Sequence, residues 1–304
     1  MVKIALSYKG VKKQGGFLLK MHKDIWTDRQ VMLGESAFEF YHYRDEIPPQ
    51  VEFHQHPFYE LFFFFGGNVN YTIEGKTYKL RPGDILLTNS LDIHRPEILP
   101  GKPYERVVLW LEDRFFEQLR VGGDDLASCF ADAARKDYRC VRPNHSSFIR
   151  MRTLCNQISQ AQSSQALGSH TLVYAYLFEF LVEVCRCYFD QTNLLQSDVT
   201  ENEKINSILD YINKNITLNL SLDNIANQFY ISKFYLSRQF KRFTGMGIYQ
   251  YIIKKRVTIS RDLLRGGASV MDACMGCGFN DYSNYLKAFK REFNRNPKDF
   301  ANIR

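Results

Sequence analysis

The apolar positions of this chain change period along its length. Between residues 51 and 111 they fall in short runs rich in Val, Ile, Phe and Tyr, at 51–53, 59–65, 69–73, 76–80, 84–88 and 106–111. The runs are separated by Gly66-Gly67-Asn68, Glu74-Gly75 and Arg81-Pro82-Gly83-Asp84, residue types that accept the dihedrals of turns. Short strands at this spacing predict a sandwich or barrel. Beyond residue 142 the spacing becomes three and four. Phe148, Met151, Leu154, Cys155 and Ile158 follow it, as do Leu172, Tyr176, Leu177, Phe180, Leu181 and Val184, which predicts helices over 145–163 and 169–190. Two amphipathic helices beside a small barrel either pack on it or pair with another subunit; the second helix is more apolar than one contact surface needs, which favours a dimer interface. Residues 191–202 are polar and turn-rich, as a linker would be.

The last third contains an internal repeat. Residues 236–245 and 285–294 align at an offset of 49, pairing Leu236 with Tyr285, Arg238 with Lys287, Phe240 with Phe289, Lys241 with Lys290 and Arg242 with Arg291. A short apolar helix precedes each copy, opening on Ser221 and on Ser269, residues suited to cap the first orphan N–H groups. Ala226 and Cys274 are small where two helices must cross, and Tyr230 and Gly278 fall at the turns. This is a helix-turn-helix layout, written twice, with a helix over 247–266 between the copies.

Composition narrows the class. With 304 residues, 45% of them hydrophobic and 14% aromatic, the chain can fill cores in about two domains of roughly 100–200 residues each. The most apolar stretch, 171–189, contains Glu179, Glu183 and Arg186, so no membrane span is expected. The first 16 residues lack the apolar core of a signal peptide, and seven cysteines at no framework spacing suit a reducing cytosol. A cytoplasmic protein is expected. Residues 200–304 carry 17 Lys and Arg against 9 Asp and Glu, a balance of +8; the rest of the chain has 23 against 24. A basic module on a neutral domain is the charge pattern of nucleic-acid binding.

The candidate chemistry begins at His54-x-His56-x3-Glu60. Two imidazoles two apart on a strand share a face, and with His94 and the carboxylate they offer a ligand set for a transition metal. Elsewhere chemistry is sparse. Cys274-x-x-Cys277 has no second pair with which to form a zinc ribbon, and Cys185 and Cys187, two apart on a helix, do not share a face. The chain has no Gly-x-Gly-x-x-Gly, no Gly-x4-Gly-Lys-Ser/Thr and no Gly-x-Ser-x-Gly, which argues against dinucleotide, nucleotide and serine-hydrolase chemistry.

His54, His56, Glu60 and Gly67 resemble the first cupin motif, and Pro82-Gly83 with His94 the second, although His94 lies beyond that family's tight Pro-x-Gly-x2-His spacing. Over 203–304 the chain resembles the DNA-binding domain of the AraC/XylS transcription regulators. The matching residues are Phe240-Lys241, Phe289-Lys290, Gly245, Arg256, Leu263-Leu264, Gly278-Phe279, Tyr285 and Pro297. Departures are Tyr230 for the usual turn glycine, Asn294 for a glycine, and Ala301 where an arginine is common. The resemblance covers the whole chain. It implies an α+β multidomain protein: a cupin-like effector-binding β-barrel over 1–142, a dimerising helical pair over 143–190, a linker over 191–202, and an all-α domain of two helix-turn-helix units joined by a linker helix over 203–304.

The resemblance also implies partners and residue roles. Phe234, Ser237 and Arg238, then Tyr282, Ser283, Leu286 and Lys287, would read bases; Lys241, Arg242, Lys290 and Arg291 would meet phosphates. His54, His56, Glu60, Tyr71, His94 and Trp110 would line the pocket of a small polar effector, expected to be a carbohydrate. On this reading the protein is no enzyme and needs no cofactor. His54, His56, Glu60 and His94 are the ligands an ion would use, but no metal is expected. Its partners are a double-stranded DNA operator, a second copy of itself and, for an activator, RNA polymerase. The alternative is a cupin metalloenzyme, a sugar isomerase or dioxygenase, with a regulatory DNA-binding tail.

Overall fold

The computed structural model describes residues 32, 37–118, 122–190 and 199–301. The N-terminal domain has two antiparallel sheets. The first runs in the order β1 (Phe38–Asp45), β7 (Tyr104–Leu111), β2 (Tyr59–Gly66), β5 (Ile85–Thr88), β8 (Cys140–Val141). The second has the order β6 (His94–Ile98), β3 (Val69–Ile73), β4 (Lys76–Lys79), β9 (Val199–Thr200). The period-2 alternation of β2 assigns its side chains. Glu60, Phe62 and Phe64 point between the sheets, whereas Leu61 and Phe63 point out onto helices. In β7, Val108 and Trp110 take the inner face, and Val107, Leu109 and Leu111 the outer one. Both faces of these strands are buried, which is why they read as unbroken apolar runs.

The short helices α1 (Asp113–Gln118) and α2 (Ser128–Arg135) follow, then α3 (His145–Ser163) and α4 (Ser169–Asp190). The long pair packs against itself and against the outer face of the first sheet. Met151, Leu154, Ile158, Leu177, Phe180 and Leu181 all join the core that contains Leu61, Phe63 and Leu109. The stripe read as a dimer contact is thus spent on the protein's own sheet, and Leu177 and Leu181 are fully buried. Residues 51–53, read as a strand, are not one, and β1, β6, β8 and β9 appear where no strand was expected. Within the stretch read as a linker, 191–198 fall outside the described residues, and Val199–Thr200 pairs with β4.

The C-terminal domain is all helical: α5 (Glu203–Lys214), α6 (Leu222–Gln228), α7 (Lys233–Thr244), α8 (Ile248–Arg265), α9 (Val270–Gly276), α10 (Tyr282–Phe293) and α11 (Lys298–Ala301). The side chains of Ser221, Ser232, Ser269 and Asp281 each accept the backbone N–H of the residue three positions further on, inside the helix they open. Leu236 and Phe240 centre one core, Tyr285 and Phe289 the other. Both recognition helices end on a left-handed residue, Gly245 in α7 and Asn294 in α10.

The two turns solve one problem differently. Tyr230 holds φ +52, at a cost of about 1–2 kcal/mol for a side chain in this region. Gly278 sits at φ +91, and a Cβ there would lie 2.7 Å from Thr217 Cα. Arg256 holds that neighbouring segment, its Nε donating to Ile216 O (2.8 Å) and its Nη2 to Leu218 O (2.6 Å). Gly278→Ala should therefore lose about 3 kcal/mol, the sum of left-handed strain and a backbone clash. Tyr230→Gly should shift stability by less than about 1 kcal/mol, because relief of strain is offset by glycine's unfolded-state entropy. Urea unfolding of both variants checks this pair; equal effects would contradict it.

Candidate functional site

Two sites need placing, a DNA face and a barrel interior. On α7 the side chains of Phe234, Ser237, Arg238, Lys241 and Arg242 are exposed, while Leu236 and Phe240 point inward. On α10, Tyr282, Ser283, Lys287, Lys290 and Arg291 are exposed. Leu286 is half-buried against the second core, so less of it is exposed than of the other residues expected to read bases. The Arg238 guanidinium lies 6.0 Å from the centre of the exposed Phe234 ring, which gives this helix an apolar and a charged group side by side. Tyr230, which stands at the first turn where a glycine is usual, is almost wholly exposed.

Charge in this domain serves two purposes. Lys255 and Arg261 on α8 are buried and face the barrel, not solvent. The Nζ of Lys255 donates to Leu91 O and sits 3.1 Å from Glu74 Oε2. Glu74 Oε2 also accepts from the Tyr251 hydroxyl, and its Oε1 accepts from Ile93 N (2.7 Å). Arg261 donates to Ser90 Oγ (3.0 Å), Gln55 donates to Thr258 Oγ1 (3.3 Å), and Arg265 pairs with Asp113 (2.6 Å). Ile93 belongs to the core of the first helix-turn-helix unit, and Phe53 packs on it. The +8 excess is thus partly an interdomain seam, which the split of charge alone did not distinguish from a DNA footprint.

In the barrel, His54, His56, Glu60, Tyr71, His94 and Trp110 converge and are all buried. The two histidines of the motif do not share a strand face. His54 makes an isolated bridge with His94, exchanging both backbone hydrogen bonds at 3.0 Å, and His56 lies in the irregular segment before β2. Ring centres are 4.3 Å apart for His54 and His94, 4.9 Å for His56 and His94, and 6.0 Å for His54 and His56. Each Nδ1 meets a backbone carbonyl: His54 that of Glu52 (2.9 Å), His56 that of Phe58 (3.0 Å), His94 that of Asp92 (2.9 Å). A carbonyl only accepts, so each Nδ1–H donates to it, and each ring turns its Nε2 away from that carbonyl.

The three rings converge. One ligand atom from each of the three histidines lies within 4.8 Å of the others. Glu60 is beside them, 3.3 Å from His56 Nε2 and 3.7 Å from His94 Nε2. The nearby donors are spent on that carboxylate, Tyr71 Oη at 3.1 Å and Trp110 Nε1 at 2.7 Å. The Nε2 atoms of His56 and His94 are left buried without a hydrogen-bond partner. Burial, reinforced by His94 and His56, lowers the His54 pKa to about 3. Burial also lowers that of His94, against the pull of Glu60. Burial opposes ionisation of Glu60, yet the nearness of His56 and then of His94 holds its carboxyl well below the usual range. Two buried imidazole nitrogens without a hydrogen-bond partner, beside a carboxylate, fit a bound cation. The resemblance to cupins implied that set, and the donor chemistry agrees with it.

A cleft of about 630 Å³ opens outside β6, between residues 46–52 and 95–102. The seven cysteines are unpaired, and Cys274 fills the α9–α10 crossing inside the second core.

This architecture defines a DNA-binding transcription regulator with a ligand-binding domain. Residues 39–177 match the AraC-like ligand binding domain, and residues 225–303 match a helix-turn-helix domain. The chain is 30% identical over 254 residues to the HTH-type transcriptional activator RhaS of Escherichia coli O81 (strain ED1a), covering 83% of this chain and 88% of that one. It matches RhaS of Shigella sonnei (strain Ss046) to the same extent. The chain belongs to the AraC/XylS family. Wild-type ToxT from Vibrio cholerae strain SCE256 matches 89% of this chain and 97% of its own at 14% identity, with a TM-score of 0.38. No helix among the described residues is long and apolar enough to cross a membrane.

Proposed function

We propose that this protein is a sequence-specific cytoplasmic regulator, not an enzyme, controlled by a small polar effector of the carbohydrate class in the N-terminal barrel. The observation that carries it is the seam. Groups of the barrel reach directly into the domain that carries α7 and α10: Glu74 meets Tyr251 and Lys255, Leu91 O accepts from Lys255, and Ile93 packs in its core. Activator relatives support a role for RNA polymerase as a partner. The helical pair supports a homodimer only through its outer face, where Ile149 and Leu172 remain exposed. Imidazole, carboxylate, phenol and indole groups in the barrel offer polar contacts beside aromatic faces, which suit hydroxyl-bearing ligands. They are closed to solvent, so an effector enters only if the barrel opens. A carbohydrate panel read by thermal shift tests this, because a ligand specific to the folded state must raise its stability, by about 2.7 kcal/mol at 100 times Kd. No shift with any sugar well above millimolar concentration would point to another ligand class.

The DNA half is tested by selecting sites from a random duplex pool and measuring point variants. Arg238 reaches outward from the first turns of α7, where an arginine can donate two bonds to guanine. Arg238→Ala should erase preference at one base pair, by about 1–3 kcal/mol. Lys241→Ala should weaken every sequence alike and reduce the salt slope by about one unit. Uniform weakening by Arg238→Ala would make it a phosphate contact instead.

A further inference from the structure

His94 and Pro96 of β6 are buried, whereas Arg95, between them, is half-buried on the opposite face of the strand. Arg95 lines the cleft of about 630 Å³ beside residues 46–52. Pockets for small molecules run to roughly 300–1,000 Å³, so this one can hold a ligand. The Arg95 guanidinium carbon lies 4.4 Å from the centre of the Phe53 ring. Among the described residues that guanidinium makes no hydrogen bond and no ion pair, and its Nε is buried. Stacking on a ring uses the face of a guanidinium and leaves its N–H edge unspent. Buried donors without an acceptor are rare in folded proteins.

The rest of the cleft is of two kinds. Ile47, Pro48, Val51, Ile98 and Leu99 give it apolar walls, with Ile47 at 92% exposure. Glu46, Glu52, Glu97 and Lys102 line it as well, and all four are exposed. Three negative charges against two positive ones disfavour a ligand that is only an anion. A zwitterion sets each of its charges against an opposite one. The Phe53 ring also meets the DNA-binding domain. A Cβ on Gly245, the C-cap of α7, would lie 2.4 Å from Phe53 Cδ2, and the ring packs on the core under that helix. One side chain thus separates Arg95 from the end of the first recognition helix.

We propose that this cleft is a second ligand site, for a short apolar peptide in its zwitterionic form, and that it acts on DNA binding through Phe53. Arg95 donates its guanidinium edge to the α-carboxylate, the pairing in which arginine is most specific. Glu52, whose carboxylate has no ion pair among the described residues, takes the ammonium. Ile47, Ile98 and Leu99 cover the apolar side chains. A single amino acid would leave much of the volume empty, whereas two or three residues fill it. Occupancy fixes Arg95 against Phe53, and through that ring the C-terminal end of α7, so the peptide alters affinity for DNA. The inference goes beyond the effector reading, since it stands whether or not a carbohydrate binds inside the barrel.

The test uses the full chain, with Leu-Leu as the probe, followed by titration calorimetry and thermal shift. Leu-Leu should bind and raise the melting temperature. Three relatives of the probe should each bind at least tenfold more weakly: Gly-Gly, which lacks the apolar body, Leu-Leu amide, which lacks the carboxylate, and N-acetyl-Leu-Leu, which lacks the ammonium. Arg95→Gln should lose at least tenfold. The double variant Ile47→Ser, Leu99→Ser, at two exposed positions, should lose at least threefold and serves if Arg95→Gln does not fold. On DNA selected from a random pool, Leu-Leu should change wild-type affinity at least threefold and leave that of Arg95→Gln unchanged. No binding of Leu-Leu well above millimolar concentration, on protein shown folded by circular dichroism, overturns the site. Binding that both variants leave unchanged places the peptide elsewhere and overturns it equally. An amide or an N-acetyl form that binds as tightly as Leu-Leu overturns the zwitterion. Peptide binding without any effect on DNA affinity overturns the coupling. Failure to select any DNA sinks the regulator reading while the peptide titration still decides the site.

Discussion

Leu177→Asp is expected to unfold the N-terminal domain instead of releasing a folded monomer. The residue lies on α4 with no exposed surface, in one core with Leu61, Phe63, Leu109 and Leu154. Removing such a leucine alone costs about 3–5 kcal/mol. A carboxylate left in its place has no cation or N–H to meet, which adds several more or forces its protonation. The total rivals the whole stability of a domain, about 5–15 kcal/mol. Leu172→Asp, on the half-exposed outer face of the same helix, should change stability by no more than about 0.5–1 kcal/mol and reports on association alone. Urea unfolding combined with sedimentation separates the two. A folded, monomeric Leu177→Asp protein would restore the idea that this stripe faces a second subunit.

That contrast shows why the sequence was legible in some places and not in others. Periodicity locates an apolar face and does not say what covers it, so α3 and α4 were readable as helices while their partner was not. β2 and β7 were visible because both their faces are buried. β1 was masked by Glu39, His42, Arg44 and Asp45 along one half-solvated strand. β6 was masked by Pro96, which is tolerated because β6 is an edge strand. The two helix-turn-helix units were legible down to Ser221 and Ser269, because a cap is a contact between residues three apart. The barrel cluster was legible as a set of residue types, but the reason offered for it was wrong. His54 meets His94 through a bridge, a contact across 40 positions, and His56 lies on irregular chain, not on a strand. The seam left no local mark at all. Glu74 reads as half of a turn, and Lys255 as one of three consecutive basic residues in a DNA-binding domain.

Glu74→Asn isolates what that seam contributes. Glu74 and Gly75 hold φ +47 and +83 between paired strands β3 and β4, the two left-handed positions of a tight hairpin turn. Glutamate is a poor choice there, and asparagine a preferred one, so the substitution improves the turn itself. The strain is retained where a longer side chain does something a shorter one cannot. Here the carboxylate satisfies Ile93 N–H, the Tyr251 hydroxyl and the Lys255 ammonium at once. Asparagine, one methylene shorter and uncharged, leaves Lys255 buried without its counter-ion. Breaking a buried pair in this way costs about 3–5 kcal/mol, far above any gain in the turn. Lys255→Met alone should cost a similar amount, by stranding Glu74. The double variant should cost clearly less than the two singles summed, because neither charge is then left alone. Calorimetry should show the single cooperative transition of the wild type splitting in Glu74→Asn, with barrel and helical domain melting separately. Additive losses in the double variant, or a Glu74→Asn protein that melts like the wild type, would mean that the two domains are held together by the apolar contact of Ile93 and Phe53 and not by these charges.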